Sequence, residues 1–271
     1  MIKKNYTFNN GRNIWRLLLT DLDQIVIEER DINKREVFFS CIDYKTGTPF
    51  WKNKTFANEK FWIGIEGTSL NVLFLHLYEK PDMPNHKKII AVELNSGNEL
   101  WRNEELVYHS SDQNAVYAFD QKFEEKQFFK LNIQTGEIEA ELGNENEAKF
   151  LISNSPEKDY SKYTFVRYIH EATPERNISE IISNLVPQNR YFDFIEYLEK
   201  DKYLIFNYYD KLEEAKLANR LVIYNILDNK TELIETINSS TPAPVPDSFF
   251  MYENLLFFVK DKQELVALEI Y

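Results

Sequence analysis

Cysteine is nearly missing from this chain of 271 residues: Cys41 is the only one. No intrachain disulfide can form, and thiolate metal clusters are excluded. Cys41 lies in the apolar run Val37-Phe38-Phe39-Ser40-Cys41-Ile42, so a buried, inert thiol is expected. Glycine is scarce too, at 7 residues, which leaves no Gly-rich loop to cradle phosphate. Gly-x-Ser-x-Gly and His-Glu-x-x-His are absent as well. The four histidines, His76, His86, His109 and His170, have no zinc-binding spacing, so only folding could join them. Positive charge is in deficit: 32 Lys and Arg face 44 Asp and Glu, for a net charge of −12. Phosphate backbones need a basic footprint and anionic membranes repel acidic proteins, so neither nucleic acid nor membrane is an expected partner. No stretch approaches a bilayer span, and no apolar run follows the lysines near the N-terminus. A cytoplasmic location is therefore expected.

What is present points to strands. Hydrophobic residues make up 43% of the chain, enough for a core, and aromatics reach 15%. Large flat side chains suit pleated, half-buried surfaces. A repeat runs along the chain. Ile42-Asp43-Tyr44-Lys45-Thr46-Gly47 is followed by Trp51, Val92-Glu93-Leu94-Asn95-Ser96-Gly97 by Trp101, and Leu131-Asn132-Ile133-Gln134-Thr135-Gly136 by Ala140. Each unit reads as an alternating strand, a turn whose glycine is free to take positive φ, and a second strand. The Asp or Asn can brace the turn through its backbone, and the Trp anchors the next strand. Asn225 to Asn229 is a weaker copy, with Asn229 in the glycine place and Leu233 in that of Trp. Gly11 and Trp15 near the start match the turn and Trp that the C-terminal strand Leu265 to Ile270 lacks.

The strand, Asp, Thr-Gly, Trp pattern of Asp43, Thr46, Gly47 and Trp51, and of Glu93, Ser96, Gly97 and Trp101, resembles the repeats of quinoprotein-like (PQQ-type) β-propellers. The resemblance implies that Trp51 and Trp101 are packing residues between blades and contact no ligand. It does not bring quinone chemistry, since those dehydrogenases are secreted, larger, calcium-dependent and rich in cysteine. The Asn13-Ile14-Trp15-Arg16 start is similar to that of a small uncharacterised bacterial family of single-domain propellers.

The expected fold is all-β: one propeller domain over 1–271, with about six four-stranded blades and seven as the alternative. Closure is expected by the N-terminal strand, Gly11 to Trp15 lying against Leu265 to Ile270. One repeat should fall near residue 183, at Glu180 to Asn184. The same stretch also reads as a helix, because Thr173-Pro174-Glu175-Arg176 is a good helix start and Ile178, Ile181, Ile182 and Leu185 have helical spacing. Leu212 to Leu217 reads as a turn of helix in a loop.

No residue is assigned to catalysis, and no cofactor or metal site is expected. His76 and His170 are read as strand histidines, and His86 and His109 as loop or strand-end residues. Gly64-Ile65-Glu66-Gly67 reads as a strand end with a turn, and Glu28-Glu29, Glu104-Glu105 and Glu124-Glu125 as solvated pairs. Asp112, Asp120, Asp210 and Asp261 read as turn formers. The function expected is a non-catalytic binding or scaffold propeller, acting as a monomer on a protein or small-molecule partner. The alternative is a hydrolase or lyase using carboxylates and a histidine in the central channel, and small-ligand sensing is a third possibility.

Overall fold

The computed structural model describes residues 2–56, 58, 60–79, 85–121, 125–152, 159–169, 176–186, 191–192 and 194–271. The fold is all-β. Strand β1 (Ile2–Phe8) opens the chain. The chain then divides into two compact units, Arg12–Lys158 and the pair Met1–Gly11 with Asp159–Tyr271.

The Arg12–Lys158 unit holds three four-stranded antiparallel meanders, each with its strands in sequence order, the sheet pattern of a propeller blade. The first contains β2 (Asn13–Leu19), β3 (Gln24–Asp31), β4 (Glu36–Asp43) and β5 (Pro49–Lys54). The second contains β6 (Ile63–Ser69), β7 (Val72–Tyr78), β8 (His86–Glu93) and β9 (Glu99–Asn103). The third contains β10 (Val107–Ser111), β11 (Ala115–Gln121), β12 (Lys126–Asn132) and β13 (Ile138–Gly143), and helix α1 (Glu145–Ile152) follows it. Asn144 accepts from the N–H groups of Asn146 and Glu147, while Glu147 accepts from that of Asn144, so α1 opens on a reciprocal cap.

The repeat motif is the turn between the third and fourth strands of each of these sheets. In all three copies the glycine N–H donates to the carbonyl four residues back, Gly47 to Asp43, Gly97 to Glu93 and Gly136 to Asn132. The glycines take φ of 70°, 63° and 72°. The Asp43 side chain accepts from the Lys45 and Thr46 N–H groups, and Asn132 does the same for Gln134 and Thr135. The glycine has a second reason to be bare. Trp51 lies against the next sheet's turn, where a Cβ on Gly97 would come within 2.7 Å of its ring, and Trp101 stands 2.5 Å from the same point on Gly136. Trp51 Nε1 donates to the Leu94 carbonyl at 2.7 Å, and Trp101 Nε1 to that of Ile133 at 3.0 Å. Each Trp is thus a joint between consecutive sheets. Trp15 departs from this role: it is 62% exposed and lies under the Arg30 guanidinium.

The second unit holds two sheets. One contains β15 (Arg167–Tyr168), β17 (Glu196–Lys200), β18 (Tyr203–Lys211), β19 (Leu217–Asn225) and β20 (Lys230–Thr241), with β16 (Tyr191–Phe192) pairing beside β18. The other runs β14 (Tyr163–Thr164), β21 (Phe249–Tyr252), β22 (Leu255–Lys260), β23 (Glu264–Ile270) and β1. The weak repeat copy has the motif geometry, with Asn225 accepting from the Leu227 and Asp228 N–H groups and Asn229 at φ 53°.

Several expectations change. The described residues hold five sheets where about six blades were expected. Residues 176–185, where a further copy was sought, form helix α2 (Arg176–Leu185). Ile178, Ile182 and Val186 pack on Ile195, Tyr197, Leu204 and Phe206 of that sheet. The helix start at 173–175 lies outside the described residues. Tyr163–Thr164 and Arg167–Tyr168 are two short strands in different sheets, β14 against β21 and β15 against β17. The strand beside β23 is residues 2–8, from Ile2 opposite Ile270 to Phe8 opposite Leu265, rather than Gly11 to Trp15. Gly11, at φ 73°, turns the chain away, and Asn13–Leu19 pairs with β3 instead. Glu213–Ala215 is a tight turn in which Glu214 and Ala215 both take φ 56°, so the helical turn expected there does not form. Cys41 is fully buried, and burial pushes its thiol up to about 12.

Candidate functional site

The second sheet of the Arg12–Lys158 unit brings Glu66, His76 and His86 together. In a strand, alternate side chains share a face, so His76 and Tyr78 on β7 point the same way. His86 is the cross-strand partner of Tyr78 and joins that face. Glu66 arrives by a bulge. Ile65 faces Leu75 and Gly67 faces Phe74, so Glu66 is an extra residue in β6 with no opposite number. A bulge re-aims one side chain without breaking the sheet. A second irregularity lies across from His76 in β8, where Lys88 takes φ 60°.

The rings of His76 and His86 stack at 3.5 Å between centroids and 6° between planes. Tyr78 stands edge-on to both, at 4.9 Å and 5.4 Å. Both Nδ1 atoms approach the same oxygen, Glu66 Oε1, at 3.2 Å from His76 and 2.6 Å from His86. Only the His86 contact has hydrogen-bond geometry. His76 is 3% exposed, and neither of its ring nitrogens has a hydrogen-bond partner. The Nε2 side is closed by β6, where a Cβ on Gly64 would lie 3.1 Å from Nε2. His86 is partly exposed and gives the cluster its opening to solvent.

Surrounding residues hold this geometry. Glu28 Oε2 accepts from the Ile65 N–H at 3.2 Å, and Arg16 Nη1 donates to the Ile65 carbonyl at 2.5 Å, so the residue before the bulge is fixed on both sides. Glu28 is itself buried and takes a two-nitrogen contact from Arg30 through Oε1. Burial pushes the Glu66 carboxyl up, but the two imidazoles outweigh it and hold the group below its ordinary range. Burial raises the Tyr108 hydroxyl to about 12; its bond to Ser111 offsets part of this and the Glu66 charge adds to it.

The expectations for single residues divide. His76 is a strand histidine beside Phe74 and Tyr78, as read, and His86 begins a strand. Their convergence with Glu66 was not foreseen. Gly64-Ile65-Glu66-Gly67 lies within β6 instead of ending a strand. Its two glycines are the signal that could have located the site, since an isolated glycine in a strand marks a bulge or a close approach. Glu28 and Glu29 are buried rather than solvated, because Arg30 pairs with Glu28 and Arg12 with Glu29 at 3.2 Å. His109 is exposed and apart from the cluster, with burial and then Lys126 drawing its imidazole below the ordinary range. His170 and Glu124 lie outside the described residues. Asp112 forms a turn, accepting from the Asn114 and Ala115 N–H groups.

Residues 19–101 match a family described as a domain of unknown function, DUF4905, a span that includes Glu28, Glu66, His76 and His86. No curated protein matches the chain. Among solved structures, the chain is similar to the β-propeller domain of the Trilobed protease from Pyrococcus furiosus, with 9% identity over 93% of this chain and 78% of that one, at a TM-score of 0.32. It is also similar to a member of the DUF4221 family from Bacteroides vulgatus, with 7% identity over 99% of this chain and 97% of the other, at 0.33. An uncharacterised protein from Listeria monocytogenes matches with 8% identity over 94% of both chains, at 0.33. The chain spans 39%, 55% and 64% of the length of three larger proteins it matches. At such scores the fold assignment rests on the sheets themselves.

Proposed function

We propose that this chain is a non-catalytic binding protein of the β-propeller type, and that it takes its ligand at Glu66, His76 and His86. The observation that carries this reading is the convergence of three donor side chains from three strands on one point that reaches solvent. Other buried carboxylates are spent on structure. Glu28 serves Arg30 and the Ile65 N–H, and Glu196 accepts from Asn207, Ser248 and the Asp247 N–H. The five sheets are proposed as five blades of one domain of quinoprotein-like repeats, with β1 as the closing strand. The protein acts as a monomer in the cytoplasm, without a nucleic-acid or membrane partner.

A second reading is a hydrolase or lyase. The Glu66–His86 contact favours it, since a carboxylate that orients an imidazole is the arrangement of a general base. A thermal-shift panel of ions and small molecules on the full chain separates the two. A ligand that raises the melting temperature of the wild type but not of His86→Ala supports binding at this face. Equal responses of the two proteins contradict it. Turnover that disappears in His86→Ala establishes the second reading.

A further inference from the structure

Resting on the reading that this face takes the ligand, we infer that Glu66, His76 and His86 bind a divalent transition-metal ion of the zinc type. One donor atom from each residue lies within 4.8 Å of the others. Zinc bonds to imidazole nitrogen and carboxylate oxygen are about 2.0 to 2.2 Å long, so tetrahedral donors stand roughly 3.3 to 3.6 Å apart. The His76 Nδ1 to Glu66 Oε1 distance of 3.2 Å is close to that edge. The His86 contact of 2.6 Å is a hydrogen bond and opens as an ion replaces its proton.

The second, independent observation is His76. A buried donor or acceptor left without a partner costs about 1–3 kcal/mol, so buried polar side chains are nearly always satisfied. His76 is buried with neither nitrogen hydrogen-bonded, its Nε2 edge is closed by Gly64, and its Nδ1 lies 3.2 Å from Glu66 Oε1. A cation at that point satisfies Nδ1. Neighbouring residues hold the donors in place. Glu28 and Arg16 fix the backbone that presents Glu66, and Tyr78 braces both rings. Two imidazoles and a carboxylate suit Zn2+, Co2+, Ni2+ and Fe2+ over Ca2+ or Mg2+. The ion's remaining position faces the His86 opening, where water or a group of a bound molecule can fill it.

The test is a zinc titration of the full-length, chelator-stripped protein in competition with a chromophoric chelator. One Zn2+ per chain is expected, with His76→Ala and His86→Ala each weakening it by about 100-fold or more and Glu66→Gln by about 10-fold or more. His86 is partly exposed, so His86→Ala keeps the test valid if His76→Ala fails to fold, and His109→Ala is the control that binds as wild type does. Co2+ should give the visible absorption of a low-coordinate nitrogen and oxygen site, lost in His86→Ala. No zinc binding, or binding equal in wild type and His86→Ala, overturns the inference. If zinc fails while another ligand still binds in a His86-dependent manner, the metal is wrong and the binding face stands.

Discussion

At the residue scale, the motif glycines do two things that sequence could only half reveal. Positive φ was legible in the spacing of Gly47, Gly97 and Gly136, because a tight turn after an alternating strand asks for it. The Trp ring lying on Gly97 and Gly136 was not, since it comes from the preceding repeat some forty residues earlier. The two contributions can be separated. Gly11 has φ +73° with nothing within 4 Å of a Cβ, so Gly11→Ala should cost only the left-handed penalty of about 1–2 kcal/mol. Gly97→Ala adds the clash with Trp51 and should cost about 1–3 kcal/mol more in denaturant unfolding. Equal costs would show that the ring contact carries no energy. The same scale holds a pH effect. Burial raises the Glu196 carboxyl above its ordinary 4.5, although bonds from Ser248 and Asp247 pull the other way. A group raised in the folded state stabilises fully below its unfolded value, and that contribution is lost as pH rises through the folded value. The stability of wild type relative to Glu196→Gln should therefore rise as pH falls from neutral towards the ordinary 4.5. A wild type that loses stability relative to Glu196→Gln over that range would contradict the assignment.

At the level of elements, strands were legible where short apolar runs lie between turn residues. Val72 to Tyr78, Phe249 to Tyr252 and Leu255 to Lys260 are strands of this kind, each a compact apolar run between turn residues. Where periodicity allowed both a strand and a helix, spacing misled: the copy sought near residue 183 is α2, whose Ile178 and Ile182, with Val186 just beyond its end, cover a sheet instead of extending one. That packing should be measurable. Ile182 is 1% exposed, so Ile182→Ala should cost about 2–4 kcal/mol, whereas Ser183→Ala on the exposed side should stay within about 0.5 kcal/mol. Comparable costs at the two positions would mean that α2 does not pack as described. The candidate site was the least legible element. Its residues come from a bulge and from both arms of the β7–β8 hairpin, and bulges are written in pairing more than in composition.

At the scale of the whole molecule, the chain's two ends share one sheet. Residues 2–8 complete the sheet of β14, β21, β22 and β23, giving β23 a partner along its outer edge. Removing residues 1–9 should expose that edge, lower the melting temperature and produce concentration-dependent association in sedimentation. A truncated chain that stays monodisperse and equally stable would show that β1 is dispensable. The binding reading and the metal it names meet in one measurement: anomalous diffraction at the zinc edge from crystals of the full chain grown with Zn2+. The expected result is a single strong peak bonded to Glu66, His76 Nδ1 and His86 Nδ1 at about 2.0 to 2.2 Å. A map with no peak there, His76 and His86 remaining stacked around the Glu66 carboxylate, would contradict it.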